Sequence, residues 1–238
     1  MFFPPLLQGS FLKFVLFKWL KRLILTFFVM SVLSALLFSV APIPFTPLMA
    51  MQCLGGQKLR YDWVSLDEMS PQLIKAAVTS EDQRFVEHWG FDFKEIKTVL
   101  NETGRKRGAS TISQQVAKNV FLTPSRNWLR KGLEVYFTAL IEVCWTKQRI
   151  MEVYLNVAEM GNGVFGAEAA AHKFFNKSAA QLTRREAVLI IACLPSPRRW
   201  SPGRPTAYIR NRSAQIMQRM AILPGPLYQT LLPKPPLK

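Results

Sequence analysis

Two hydrophobic patterns divide the chain. From Leu23 to Gln57 no side chain carries a charge, a run longer than the ~20 residues needed to cross the hydrocarbon core of a bilayer. The pattern predicts a transmembrane anchor over 23–45, with its helix ended near residue 41 by Pro42, Pro44 and Pro47. Residues 1–22 read as a basic, amphipathic lead-in, with Phe2, Phe3, Leu6, Leu7, Phe11, Phe14 and Phe17 suited to lie along the membrane interface. Residues 46–60 read as a linker. A cleaved signal peptide is the competing reading; the long apolar run and the lack of a clear small-x-small cleavage site favour a retained anchor.

Beyond residue 60 the apolar positions recur at helical spacing, and 61–223 reads as one mainly α domain. Ser70-Pro71 is an N-cap and first-turn signature, which predicts a helix with Glu81 near its end and Phe85 and His88 following at helical spacing. Asp92 with Glu95 resembles a capping box for a helix to about Glu102. Gly104 to Gly108 is a basic, glycine-bounded loop. Ser110 is the expected cap of a helix with Thr111, Gln114, Gln115 and Lys118 on one face and Ile112, Val116 and Val120 on the other. Trp128 to Cys144 continues the period. Thr146 caps a helix with Ile150, Val153, Tyr154 and Val157 facing inward. After a glycine turn come an alanine-rich helix over 167–175, a buried helix opened by Thr183 and Glu186, and a last helix from about Thr206 to Leu223. Strand signals are weak, and no repeat is present. The proline-rich basic tail, 224–238, is expected to be disordered from Leu231 onward.

Charge narrows the choice of partner. The 238 residues carry a formal charge of +16, which implies an anionic partner: nucleic acid, an anionic membrane surface or phosphate-bearing ligands. Lys13, Lys18, Lys21 and Arg22 precede the apolar run, and no acid occurs before Asp62. The positive-inside rule therefore puts the N-terminus in the cytoplasm and the body across the membrane. The membrane anchor, with the specific acids at 81 and 134, argues against nucleic acid. Cys53, Cys144 and Cys193 have neither paired nor metal-like spacing and read as free thiols.

Three polar blocks carry candidate chemistry. Glu81 and Asp82 sit where a helix dipole disfavours carboxylates. Paired acids at a helix end are also common on solvated surfaces, and a lone His88 is more often structural. Ser110, Thr111, Gln114, Gln115 and Lys118 suit an oxyanion or phosphate at a helix N-terminus, against the plainer reading of a solvated polar face. Arg126, then Arg130, Lys131 and Glu134, form the third block. Arg130 and Glu134 stand at i and i+4, with Glu134 bordering a core or a cleft.

Together these blocks resemble the motifs of the family-51 peptidoglycan glycosyltransferases, the transglycosylase domain also found in class A penicillin-binding proteins. The matching segments are Glu-Asp-x-x-Phe-x-x-His-x-Gly at 81–90, Gly-x-Ser-Thr-x-x-Gln-Gln-x-x-Lys-Asn at 108–119 and Arg-Lys-x-x-Glu at 130–134. Ile150 to Asn156, Gly163 to Ala170 and Leu194 to Pro197 match further motifs in the family's order. Ala109 departs from it, standing where the family commonly has a second glycine. The chain ends soon after residue 223, so the expectation is the monofunctional biosynthetic type.

The resemblance implies a lysozyme-like helical fold in the bacterial inner membrane, its catalytic domain periplasmic. It implies polymerisation of lipid II onto a lipid-linked glycan strand, with inversion and release of undecaprenyl pyrophosphate. By motif position Glu81 is the general base. Lys118, Arg126 and Arg130, with Lys131, Ser110, Thr111, Gln114 and Gln115, match the donor-phosphate side. Glu134 is the second catalytic glutamate. Asp82, Phe85 and His88 are placed at or next to the substrate, His88 being equally a structural donor. No cofactor is obligatory; a divalent cation, Mg or Mn, at Glu134 or Glu81 is the candidate metal. Other cell-wall synthesis and division proteins are expected partners. The alternatives are a membrane-anchored glycoside hydrolase or lytic enzyme on the same scaffold, which needs a second carboxylate across the cleft, and a noncatalytic scaffold.

Overall fold

The computed structural model describes residues 5–101, 108, 110–125 and 127–232, with side chains from residue 13 onward. Most of the basic loop before Gly108, together with Ala109, Arg126 and the tail beyond residue 232, lies outside the described residues. The chain divides into two units, Met1–Ala41 and Pro42–Lys238.

The first unit is one helix, α1 (Pro5–Phe38), of 34 residues. Its segment Lys13–Phe38 is long and apolar enough to cross a membrane. Residues 5–22, read from sequence as a separate lead-in, continue the same helix, because no proline interrupts it after Pro5. It gives way to a turn after Phe38, ahead of Pro42, which disfavours helical geometry in the residue before it.

The second unit is a helical domain with one small sheet. Within the expected linker lies a helix, α2 (Pro47–Leu54). Thr46 caps it by accepting from the Met49 amide, Pro47 fills its first turn, and Met49 is fully buried. Pro47, expected to help end the first helix, instead starts the second. Three short strands, β1 (Arg60–Tyr61), β2 (Glu159–Gly161) and β3 (Val164–Phe165), pair in the order β1-β3-β2, with β1 parallel and β2 antiparallel to β3. Asn156 ties the segment after β1 to the helices by accepting from the Val64 amide and donating to the Val64 carbonyl.

The core is built on α9 (Arg184–Cys193), whose residues from Ala187 to Cys193 are all buried. Against it pack α3 (Pro71–Glu81) and α10 (Ala207–Ile222). A second layer joins α5 (Ile112–Phe121) to α6 (Trp128–Cys144) and α7 (Lys147–Val157). The remaining helices are α4 (Phe93–Asn101), α8 (Ala167–Phe175) and the short α11 (Pro226–Gln229). Caps at Ser70, Thr146, Thr183 and Thr206 start α3, α7, α9 and α10 where the sequence predicts them. The tail is ordered further than expected: Leu231 is fully buried, and the Gln148 amide donates to the Thr230 carbonyl at 2.5 Å.

Candidate active site

Glu81 is the last residue of α3 and Asp82 is its C-cap. The chain does not continue as a helix through Phe85 and His88; residues 83–90 are turns and bends. Tertiary hydrogen bonds explain the departure. The buried Asp82 carboxylate accepts from the Ile112 amide at 3.0 Å and from His88 Nε2 at 2.9 and 3.1 Å. The Thr111 hydroxyl donates to the Gly90 carbonyl, and Lys147 donates to the His88 carbonyl at 2.6 Å. Gly90 adopts φ +77°, and a Cβ there would lie 2.6 Å from Thr138 Cγ2. Only glycine permits the loop to rest this closely on α6.

Three expected substrate contacts therefore stand behind the site. Phe85 is fully buried with the Lys147 ammonium 4.6 Å from its ring centroid. His88 is buried against Asp82, and its Nδ1 has no partner among the described residues. Gln114 is buried in a capping box, its side chain accepting from the Thr111 amide while Thr111 accepts from the Gln114 amide. The cap of α5 is thus Thr111, one residue after the predicted Ser110. The shift occurs because the Thr111–Gln114 pair has the three-residue separation that a capping box needs. Thr111 is in consequence occupied structurally, and Ser110 is left exposed.

A cleft of about 690 Å³ opens over this framework. Glu81, Asp82, Ser110, Thr111, Gln115 and Lys118 line it, bringing residues of the first two motifs to one surface. Glu81 accepts from Ser80 Oγ at 3.0 Å and from Gln115 Nε2 at 3.3 Å. Arg212 of α10 lies 3.8 Å from the same carboxylate, and Arg219 also lines the cleft. Sequence reasoning missed Ser80, Arg212 and Arg219. The signal available was the seven-residue spacing of the two arginines, which puts them on one face of a helix. Behind Glu81 and Asp82, burial pushes the Tyr154 hydroxyl pKa well up, and the two carboxylates push it further.

The third motif supplies a buried ion cluster. Glu134 is 4% exposed and is held by Arg130, one turn away on α6, and by Lys131 Nζ at 2.5 Å. Burial pulls the Lys118 pKa below its usual 10.5; Glu134 opposes the fall, and Arg130 and Lys131 add to it. Lys118 thus connects the cleft to the cluster electrostatically.

Of the two expected cation sites, Glu134 does not fit these surroundings. Both Glu134 oxygens are engaged by cationic side chains, so a divalent ion there has to displace Lys131 or Arg130. Among the described residues, Asp82, His88 and Asp92 bring ligand atoms within 4.8 Å of one another. They too are committed: His88 to Asp82, and Asp92 to the Glu95 amide at 2.9 Å and to Arg84 at 3.3 Å.

Comparison with known proteins identifies the family of the helical domain. The family model described as Transglycosylase matches residues 48–221, which include every residue that lines the cleft. The chain is 55% identical over 186 residues to a protein of Rhodospirillum centenum, covering 76% of this chain and 80% of that one. It is 50% identical over 213 residues to one of Bdellovibrio bacteriovorus, covering 86% and 85%. With one from an Escherichia coli strain it shares 45% over 228 residues, covering 90% and 94%. Each of these relatives is named biosynthetic peptidoglycan transglycosylase. The match of the family model to most of the chain, with relatives 45–55% identical over most of their length, places this chain, with its lysozyme-like helical domain, in the transglycosylase family.

Proposed function

We propose that the cleft polymerises lipid II, with Glu81 as general base and the Lys118–Arg130–Lys131 side receiving the leaving pyrophosphate. The chain is a peptidoglycan glycosyltransferase, the activity its family and the names of its relatives carry. One observation supports the division of labour most strongly: Glu81 and Lys118 line one cleft while Glu134 is buried among cations. The 4-hydroxyl of the acceptor sugar attacks C1 of the lipid-linked strand. The new O–C1 bond forms as the bond from C1 to the phosphate oxygen breaks. The electron pair leaves with undecaprenyl pyrophosphate, and the hydroxyl proton passes to Glu81.

An alcohol is a weak nucleophile at neutral pH, so proton removal in the transition state accounts for roughly 10²–10⁴-fold of the rate. The leaving group is already an anion and needs cations rather than an acid. Arg126, by motif position, joins the cations. Glu134 orders Arg130 and Lys131 and offsets the cost of burying Lys118. A divalent ion would supply further positive charge to the pyrophosphate, but Glu134 would have to give up Arg130 or Lys131 to hold it. The hydrolase alternative is not favoured, since the named relatives are biosynthetic.

Among the described residues one helix is long and apolar enough to cross a membrane, which fits a single-pass anchor. We propose that it lies in the bacterial inner membrane with the N-terminus cytoplasmic and the domain periplasmic, where lipid II, the lipid-linked strand and other cell-wall proteins are met. Polymerisation of labelled lipid II by the purified chain, with and without Mg²⁺, tests the activity: glycan strands are expected, and an absence of polymer under both conditions overturns it. A reporter fused after Lys238 tests the topology by being active only outside the cytoplasm; activity inside reverses the orientation.

A further inference from the structure

Two hydroxyls stand side by side at the end of α3 and are used differently. Thr79 Oγ1 donates to the Lys75 carbonyl one turn back at 2.7 Å, the usual arrangement for a hydroxyl within a helix. Ser80 does not. Its Oγ donates to Glu81 Oε1 at 3.0 Å and accepts from Arg212 Nη2 at 3.2 Å. Neighbouring side chains on a helix point about 100° apart and do not ordinarily meet. This pair meets where the helix ends, with Glu81 its last residue.

The direction of the relay is fixed by the groups themselves. A guanidinium can only donate, so Ser80 must accept from Arg212. The one hydroxyl proton is then free for the carboxylate, which can only accept. Glu81 Oε1 thereby receives a polarised hydroxyl and faces the Arg212 charge at 3.8 Å. Oε2 has the longer 3.3 Å contact with Gln115.

We infer that Ser80 is a positioning residue that differentiates the two oxygens of Glu81: it occupies Oε1 and leaves Oε2 to take the proton of the acceptor hydroxyl. The inference rests on Glu81 being the base. It assigns Arg212 an indirect action through Ser80 besides its direct charge. The charged and titratable groups that share the Glu81 cleft or interact with this carboxylate are Asp82 next to it, Arg84 and Asp92 in the following loop, Glu95 on α4, Lys118 on α5, Tyr154 on α7, and Arg212 and Arg219 on α10. Ser80 is the neutral member through which one of these charges reaches a single oxygen.

The test is the steady-state kcat and KM for lipid II turnover by the full-length chain carrying Ser80→Ala, Ser80→Thr or Glu81→Gln. Alanine is the better helix former, so Ser80→Ala keeps α3 intact. Losing the hydrogen bond that orients the carboxylate is expected to lower kcat by about tenfold. KM, and the Kd for undecaprenyl pyrophosphate, are expected to stay within about twofold of the parent. Ser80→Thr restores the hydroxyl and is expected to recover kcat. An unchanged kcat in Ser80→Ala, or a loss carried by KM and product Kd instead, overturns the inference. Near-parental turnover by Glu81→Gln overturns the base assignment itself, a separate result from failure of the Ser80 relay.

Discussion

Glu81 ends α3 with its carboxylate at the cleft, held by a hydroxyl, an amide and a guanidinium 3.8 Å away. Glu134 lies inside α6, 4% exposed, each oxygen matched to a cation at close range. One carboxylate keeps lone-pair capacity facing the reactants; the other spends its capacity holding neighbouring charges in place. The same side chain thus becomes a proton acceptor or a structural anion according to what surrounds it.

The sharpest way to break this comparison is to remove each charge in turn. Glu81→Gln should cut lipid II turnover by roughly 10²–10⁴-fold while the Kd for undecaprenyl pyrophosphate barely moves. Retained turnover would end the base assignment. Glu134→Gln should act on binding and on folding. Lys118 loses its upward electrostatic influence and Arg130 its partner, so product affinity should weaken by about tenfold. Chemical denaturation should show a loss of about 1–2 kcal/mol, less than for a fully buried pair because the Lys131 side chain is 43% exposed. A variant that binds product normally but cannot turn over would exchange the two roles.

Smaller changes sharpen the contrast. Thr111→Ala removes both the cap of α5 and the donor to Gly90, and should cost about 1–2 kcal/mol in denaturant titration. Lys118→Met should have the smallest effect on stability and the opposite sign. Because the folded-state pKa of Lys118 lies below its usual value, keeping it charged opposes folding at neutral pH. That opposition fades as pH rises through the lowered pKa towards 10.5, where the unfolded chain also loses the proton. The variant should therefore melt about 2–4 °C higher at pH 7, with the gain shrinking at alkaline pH, while turnover is lost. A lower melting temperature at pH 7 would show that Lys118 contributes more through packing than it costs through burial.

What the sequence revealed was what local chemistry specifies. Ser70-Pro71, Thr146, Thr183 with Glu186, and Thr206 each mark a helix start because a cap is satisfied within three residues. The order of the motifs assigned Glu81, Lys118 and Glu134 to one site, and the first two line one cleft. Features dictated by distant partners were not legible. Phe85 and His88 leave helical spacing because Asp82 turns to the Ile112 amide, 30 residues on. Three strands of two or three residues carry no detectable period. The linker hid α2 because Pro47 reads equally as the end of one helix or the first turn of the next. Arg212 reaches the site only through the packing of α10 on α3.

The hydrogen bond from Arg212 to Ser80 spans 132 positions of sequence. A contact of such separation closes late in folding, because the entropy of a large loop must be met before the contact is gained. The chain is made from its N-terminus, so α3, α5 and α6 exist well before α10 has been synthesised. The cationic side takes its members from residues 118 to 134, so a chain not yet extended to residue 212 holds all of them but lacks the arginine that polarises Ser80 against Glu81. In order of synthesis the leaving-group side comes first, and the nucleophile's side is completed last. Completion of the polymerase is timed by the arrival of its last long helix.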